Sequence, residues 1–340
     1  MHHHHEEAAG VDGLVGAFRD ARGRTHFAFV RIMDTAHLGF AVRRMSGKGL
    51  GVVAMKAFPA GERILAESPL VAWRTRPESA DSSGRKLHDF KELRDLIASL
   101  DAPSREAFLG LADNYASPEK SIAGIWNTNS IKTEDVMGDS QSEAKDGLSR
   151  TAVFAQLSRF NHACVPNTFP AWNALLGQQT VHALRDIAPG EELCIAYVAG
   201  AEAGHRDARQ ALLLRKYKFA CDCVTCSLTG TALENSDARQ QRLASIHTAL
   251  TSWPDNDPAL PTVVEESLWL MNEEGLPPVW GKAGVFLLVA QLVTQGDRRG
   301  AAKWARRGAI AARPALGEDS SVFRRFSELV EALGEPMEAS

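Results

Sequence analysis

Two short runs within residues 158–197 constrain this chain more than any other feature. The first is Ser158-Arg159-Phe160-Asn161-His162-Ala163-Cys164-Val165-Pro166-Asn167, and the second is Gly190-Glu191-Glu192-Leu193-Cys194-Ile195-Ala196-Tyr197. Between them, residues 168–174 and 180–185 are β-prone segments around a Leu176-Gly177-Gln178 turn, and Ala188-Pro189-Gly190-Glu191 is a second turn ahead of a last strand. A tyrosine ending an apolar strand ordinarily keeps its ring half in the core and its hydroxyl at the rim.

Upstream, residues 6–26 show little periodicity and predict a mobile or weakly docked arm. From Phe27 the pattern changes. Residues 27–33, 40–45 and 51–55 are short β-prone runs punctuated by glycine, and Pro59-Ala60-Gly61-Glu62 turns the chain into 63–67. Leu87, Phe90, Leu93, Leu96, Ile97 and Leu100 then recur at helical steps. A second helix is expected over about 103–113, with Pro103 in its first turn, and a third over about 118–129. Residues 132–150 carry almost no apolar side chain, so a flexible loop is expected there, either filler or a lid beside the second half of the sheet region.

Beyond Tyr197 a helix over 205–216 is expected to turn Ala208, Ala211, Leu212 and Arg215 to one face, and it delivers the chain to Cys221-Asp222-Cys223-Val224-Thr225-Cys226. From Asp237 the apolar steps are helical throughout. The small residues Ala301, Ala305, Gly308, Ala309 and Ala312 permit close helix packing, and Gly317-Glu318-Asp319-Ser320 caps a last helix.

With 340 residues, 44% hydrophobic and 24% charged, the chain has room for two domains of ordinary globular composition. A net charge of −4 without a dense Lys/Arg cluster argues against direct nucleic-acid binding. No apolar run reaches the roughly 18 residues of a membrane span. An intracellular protein of the nucleus or cytoplasm, monomeric and without a membrane partner, is expected; His2–His5 resemble a purification-tag remnant and are set aside. Five cysteines, three of them within 221–226, suit metal ligation in a reducing compartment better than disulfides. Three thiols are one short of a closed zinc site; Cys164 is the candidate fourth, but it lies far off in the chain and spacing alone does not settle it.

Taken in order, these motifs resemble a SET domain. Gly47-Lys48-Gly49-Leu50-Gly51 matches the family's opening glycine turn, Asn161-His162-Ala163-Cys164-Val165-Pro166-Asn167 its Asn-His-Ser-Cys-x-Pro-Asn run with Ala163 in place of the usual Ser, and Glu191 to Tyr197 its Gly-Glu-Glu-Leu-x-x-x-Tyr run. Tyr217-Lys218-Phe219-Ala220-Cys221-Asp222-Cys223-Val224-Thr225-Cys226 matches the post-SET tail. The arrangement is similar to the SET and MYND-domain type and its fungal relatives, but the expected MYND zinc finger is missing, since Arg74 to Asn129 contains no cysteine.

The resemblance implies an α+β fold: a β-rich SET domain of small sheets in a pseudoknot-like core, with a helical insert, a zinc-bound tail and a tetratricopeptide-like helical domain. The divisions implied are an arm over 1–26, the two SET parts over 27–73 and 131–200, the insert over 74–130, the tail over 201–232 and the helical domain over 233–340. It implies a Zn2+ ion on Cys164, Cys221, Cys223 and Cys226. It also implies S-adenosylmethionine held by the backbone around Lys48, Gly49 and Leu50, by Asn129, Asn161 and His162, and by a stacking face at Phe219. Tyr197 is the implied catalytic hydroxyl, and Tyr217 lines the lysine channel. An equally simple reading of His162 is a buried imidazole hydrogen-bonded to backbone.

The implied function is S-adenosylmethionine-dependent methyl transfer to a lysine in a protein substrate. Two other classes stay open on sequence: a SET-fold enzyme acting on a small-molecule substrate without that cofactor, for example a cyclase, and a non-catalytic scaffold whose helices bind a partner.

Overall fold

The computed structural model describes residues 13–19, 25–30, 35–75, 90–116, 118–133, 149–198 and 204–334. Small sheets and helices alternate in a mixed α+β fold. β1 (Gly13–Arg19) pairs antiparallel with β2 (Thr25–Val30). The sequence leaves the first of these in an arm, because backbone pairing needs no apolar periodicity. The rest of that arm lies outside the described residues.

β3 (Phe40–Met45) and β4 (Gly49–Ala54) form a tight antiparallel hairpin. Gly47 and Gly49 adopt φ of +72° and +75°, which only glycine takes cheaply. β12 (Glu192–Ile195) adds to β4 antiparallel, and β9 (Asn161–His162) adds to β12 in parallel, giving the order β3-β4-β12-β9. The parallel step places the Asn161-His162 run beside the Cys194-Ile195 run.

A second sheet orders β10 (Thr168–Asn173), β11 (Gln178–Ala183) and β5 (Arg63–Glu67). Val181, Ala183 and Leu65 pack inward with Phe40, Val52, Phe160 and Leu193. Phe169 and Ala171 instead join the core of the C-terminal helices. One sheet thus serves two cores.

A third sheet orders β6 (Val71–Thr75), β8 (Ser149–Val153) and β7 (Ile131–Lys132). The expected loop over 132–150 is therefore shorter than the sequence suggests: Lys132, Ser149 and Arg150 pair in this sheet. Its remaining residues, 134–148, lie outside the described residues. On the same sheet sit α1 (Lys91–Ser99), α2 (Ala102–Leu109) and α3 (Ile122–Asn129), with Trp73, Leu93, Ile97, Phe108, Ile125 and Trp126 in one apolar cluster. Pro103 falls in the first turn of α2, where its missing N–H costs nothing. Asp101 and Ser121 cap α2 and α3 by accepting from Ser104 and Gly124 N–H groups.

α4 (Arg206–Tyr217) ends on Lys218 in the left-handed region, φ +61°. Arg209 and Leu213 are its buried residues, while Ala211 and Arg215, on the face they share, are exposed. Then come α5 (Gly230–Leu250), α6 (Leu260–Glu273), α7 (Lys282–Thr294), α8 (Arg298–Leu316) and α9 (Ser321–Ala332). α5 begins seven residues before the first expected helical step, because Gly230 at φ +56° turns the chain directly into it. Ala301, Ala305, Gly308, Ala309 and Ala312 are all buried along α8, and a Cβ on Gly308 would run into the Phe326 ring. In the inter-helix core Glu274, 8% exposed, accepts from Ser236, Arg239 and Gln240 at 2.7, 2.5 and 2.9 Å.

The helices dock on the second sheet through a polar joint. Arg63 donates from Nε to His182 Nε2 at 3.2 Å and from Nη2 to Asp319 at 2.5 Å. Among the described residues no helix is long and apolar enough to cross a membrane.

Candidate active site

The residues singled out by sequence converge on one cleft of about 1060 Å³, lined by Lys48, Gly49 and Leu50 from the hairpin, Asn129 from α3, Asn161 and His162 from β9, and Tyr197, Tyr217 and Phe219. Such a volume takes a drug-sized ligand together with an entering side chain.

Glu192 ties one wall together. Its carboxylate accepts from Asn161 Nδ2 at 2.8 Å and pairs with Lys48 Nζ at 3.5 Å, and Lys48 also reaches Asp222 at 3.3 Å. Asn161 Nδ2 further donates to the Leu50 carbonyl at 3.2 Å. Gly51 makes that approach possible, since a Cβ there would stand 2.6 Å from Asn161 Nδ2. The Lys48 ammonium is held above its ordinary pKa: burial opposes the charge, but the Glu192 and Asp222 carboxylates outweigh it. Asn167 braces the same strand, donating to Glu192 O at 2.9 Å and accepting from Cys194 N at 2.8 Å. An amide side chain here replaces a strand's backbone.

His162 is a buried imidazole, 5% exposed, whose Nδ1 accepts from the Tyr197 backbone N–H at 3.0 Å. Nε2 therefore carries the proton of the neutral ring and faces Cys164 Sγ at 3.4 Å. Burial pulls its pKa down to about 4. The simple structural reading of this residue is thus realised, and the ring lines the cleft as well.

The Tyr197 hydroxyl donates to the Phe160 carbonyl at 2.7 Å. Burial, reinforced by Tyr217, raises its pKa above the ordinary phenol range, so it stays protonated at neutral pH. The Tyr217 ring lies 4.9 Å from the Tyr197 ring, the His162 ring 5.4 Å, and Phe219 meets it edge-on at 6.3 Å, centre to centre. Asn129 is 7% exposed and its Nδ2 is taken up by the Ala112 and Ile125 carbonyls, both at 2.7 Å, so its oxygen is the atom left for the cleft.

Sequence reasoning missed how the insert grips the tail. Asn114 Nδ2 donates to the Tyr217 carbonyl at 2.7 Å, the Tyr115 hydroxyl donates to the Lys216 carbonyl, and Lys218 Nζ sits 5.0 Å over the Tyr115 ring. The one signal was that Tyr115 is the third of only three tyrosines, the other two being Tyr197 and Tyr217.

The thiols of Cys164, Cys221, Cys223 and Cys226 lie within 4.8 Å of one another. A tetrahedral zinc with Zn–S bonds of 2.3 Å needs sulfurs about 3.8 Å apart, so the donor set fits that ion. Cys194 stands outside the group, and burial raises its thiol to about 12.

A family model described as SET domain matches residues 49–198. That part of the chain is similar to a SET domain. Over 298 residues it is 28% identical to the histone-lysine N-methyltransferase set5 of Schizosaccharomyces pombe, covering 86% of this chain and 83% of that protein. It is 41% identical over 80 residues to the protein-lysine N-trimethyltransferase SMYD5 of Homo sapiens, covering 22% of this chain and 18% of that one. The crystal structure of the methyltransferase domain of human histone-lysine N-methyltransferase SETMAR matches at 18% identity and a TM-score of 0.27, over 46% of this chain and 44% of that one. The matched region holds Gly49, Leu50, Asn129, Asn161, His162 and Tyr197 of the cleft, while Lys48, Tyr217 and Phe219 lie outside it.

Proposed function

We propose that this protein transfers a methyl group from S-adenosylmethionine to the Nε of a lysine in a protein substrate. The observation that carries it is the convergence of the glycine turn, Asn161, His162, Phe219 and the paired Tyr197 and Tyr217 on one cleft. The named activities of set5 and SMYD5 favour a protein lysine over a small molecule.

Lys48, Gly49 and Leu50 would offer backbone amides to the cofactor, Asn129 and Asn161 their side-chain oxygens, and Phe219 a ring face for the adenine. When bound, that cofactor supplies a methyl group on a positively charged sulfur. The acceptor amine must arrive neutral and aligned. Tyr197 meets the second need: its proton is spent on the Phe160 carbonyl, so the phenol oxygen is free to accept an N–H of the amine and aim the nitrogen lone pair. It does not act as a base, because its own proton is held more tightly than in free tyrosine. Burial between Tyr197 and Tyr217 disfavours the ammonium form of the incoming lysine and excludes competing water.

The four thiols would bind one Zn2+, which fastens residues 216–226, and with them Tyr217 and Phe219, over the cleft. The helices from α5 onward would form a tetratricopeptide-like platform, consecutive helices packing on one another behind the second sheet. Calorimetric titration of the metal-loaded protein with S-adenosylmethionine tests the reading. Stoichiometric binding that weakens at least about 10-fold in Phe219→Ala is expected; no heat of binding in the metal-loaded protein defeats it.

A further inference from the structure

One buried cation stands beside the thiol group with unspent donors. Arg209 on α4 is 1% exposed. Its Nη1 donates to the Gly204 carbonyl at 2.7 Å, whereas Nε and Nη2 are buried without a hydrogen-bond partner among the described residues. The neighbouring Gln210 clasps Cys221 on both sides, donating from Nε2 to its carbonyl at 2.6 Å and accepting from its N–H at 2.8 Å. Leu213, one turn further on, packs among Cys164, Cys221 and Cys226. This face of α4 therefore abuts the cysteine cluster, in which the Cys164 and Cys226 sulfurs lie 3.5 Å apart; burial opposes the guanidinium charge, but those two cysteines outweigh it and hold its pKa above the ordinary value.

A guanidinium cannot shed its charge, and burying it without a counter-charge is costly. Four neutral thiols provide none. Four thiolates around a dication carry a net charge of −2, and sulfur accepts N–H donors in that state. We propose that Arg209 is the counter-cation of the metal site, donating Nε–H and Nη2–H to the sulfurs of Cys164 and Cys226 in the metal-bound protein. The proposal rests on the metal reading of the four thiols and is independent of methyl transfer. Arg209 then favours the ionised, metal-bound set over the protonated one, and it locks α4 to the tail that carries Tyr217 and Phe219. It is a positioning residue, acting through the cysteines on the wall of the cleft.

The experiment uses the full chain loaded with metal. Zinc transfer to a chromogenic chelator is expected to be about 10- to 100-fold faster in Arg209→Met, which keeps the volume, with Arg209→Lys between it and the wild type. Because Arg209→Met removes a buried group, a second measurement uses the unaltered protein. With 113Cd in the thiol site and 15N-labelled arginine, scalar coupling between the metal and the Arg209 Nε–H is expected, a signal that a merely space-filling arginine cannot produce. A wild type that takes up no metal removes the metal reading. Metal uptake without the coupling, or release from Arg209→Met at the wild-type rate, overturns the role of Arg209 alone.

Discussion

The backbone N–H of Tyr197 donates to Nδ1 of His162 at 3.0 Å, across the parallel register that pairs Ile195 with His162. That bond sets the tautomer: the proton sits on Nε2, toward Cys164 Sγ at 3.4 Å. One neutral ring thus links Tyr197 to the thiol group. His162→Ala should lower stability by about 2–4 kcal/mol, from a buried N–H left unpaired and a cavity beside Phe219, and should speed metal loss to a chelator. Denaturant unfolding with parallel chelator assays checks it; unchanged midpoints would make the ring a bystander.

Tyr197→Phe should slow turnover at least ~100-fold, about 2.7 kcal/mol of transition-state stabilisation. Loss of the 2.7 Å bond to the Phe160 carbonyl adds a stability cost of about 1 kcal/mol. Cofactor affinity should hold. Single-turnover kinetics beside calorimetry separates these effects, and an unaltered rate would leave the hydroxyl a packing group.

Cysteine substitutions should divide sharply. Cys223→Ser should lose the metal, whereas Cys194→Ser should keep it, because Cys194 lies outside the four-thiol group. Metal analysis of both proteins after gel filtration decides this, and equal zinc in the two would remove the assigned ligand set.

What could be read in the sequence was local. The turn at Gly47 to Gly51, the Asn161 to Asn167 run and the Tyr197 strand each carry their chemistry within a few residues, and the structure brings them to one cleft. Apolar steps found α3 and the small-residue face of α8 because the helix period is in the side chains themselves. What escaped depends on distant partners. Lys132 and Arg150 are polar and read as loop, yet they pair in a sheet whose other strand starts at Val71. No sequence pattern marks Arg209, yet it is 1% exposed. Asn114 meets Tyr217 across a separation of 103 residues, with no pattern linking them.

The joint between the second sheet and the C-terminal helices should be acid-sensitive. His182 is 1% exposed, and burial, with Arg63 beside it and only partly offset by Asp319, lowers its pKa to about 4. The unfolded chain, with an ordinary value near 6.5, takes up the proton first, so this stability is present above pH ~6.5 and is lost as pH falls towards 4, by up to about 3 kcal/mol. His182→Gln should flatten that slope. Urea unfolding of both proteins between pH 7 and pH 5 measures it, and parallel slopes would clear His182.

The most direct test is mass spectrometry of a protein array incubated with the metal-loaded chain and S-adenosylmethionine carrying an isotopically labelled methyl group. Label on lysine Nε, reduced at least ~100-fold with Tyr197→Phe, is the expected result. Cofactor binding with label on no lysine, or equal label from the wild type and Tyr197→Phe, would contradict it.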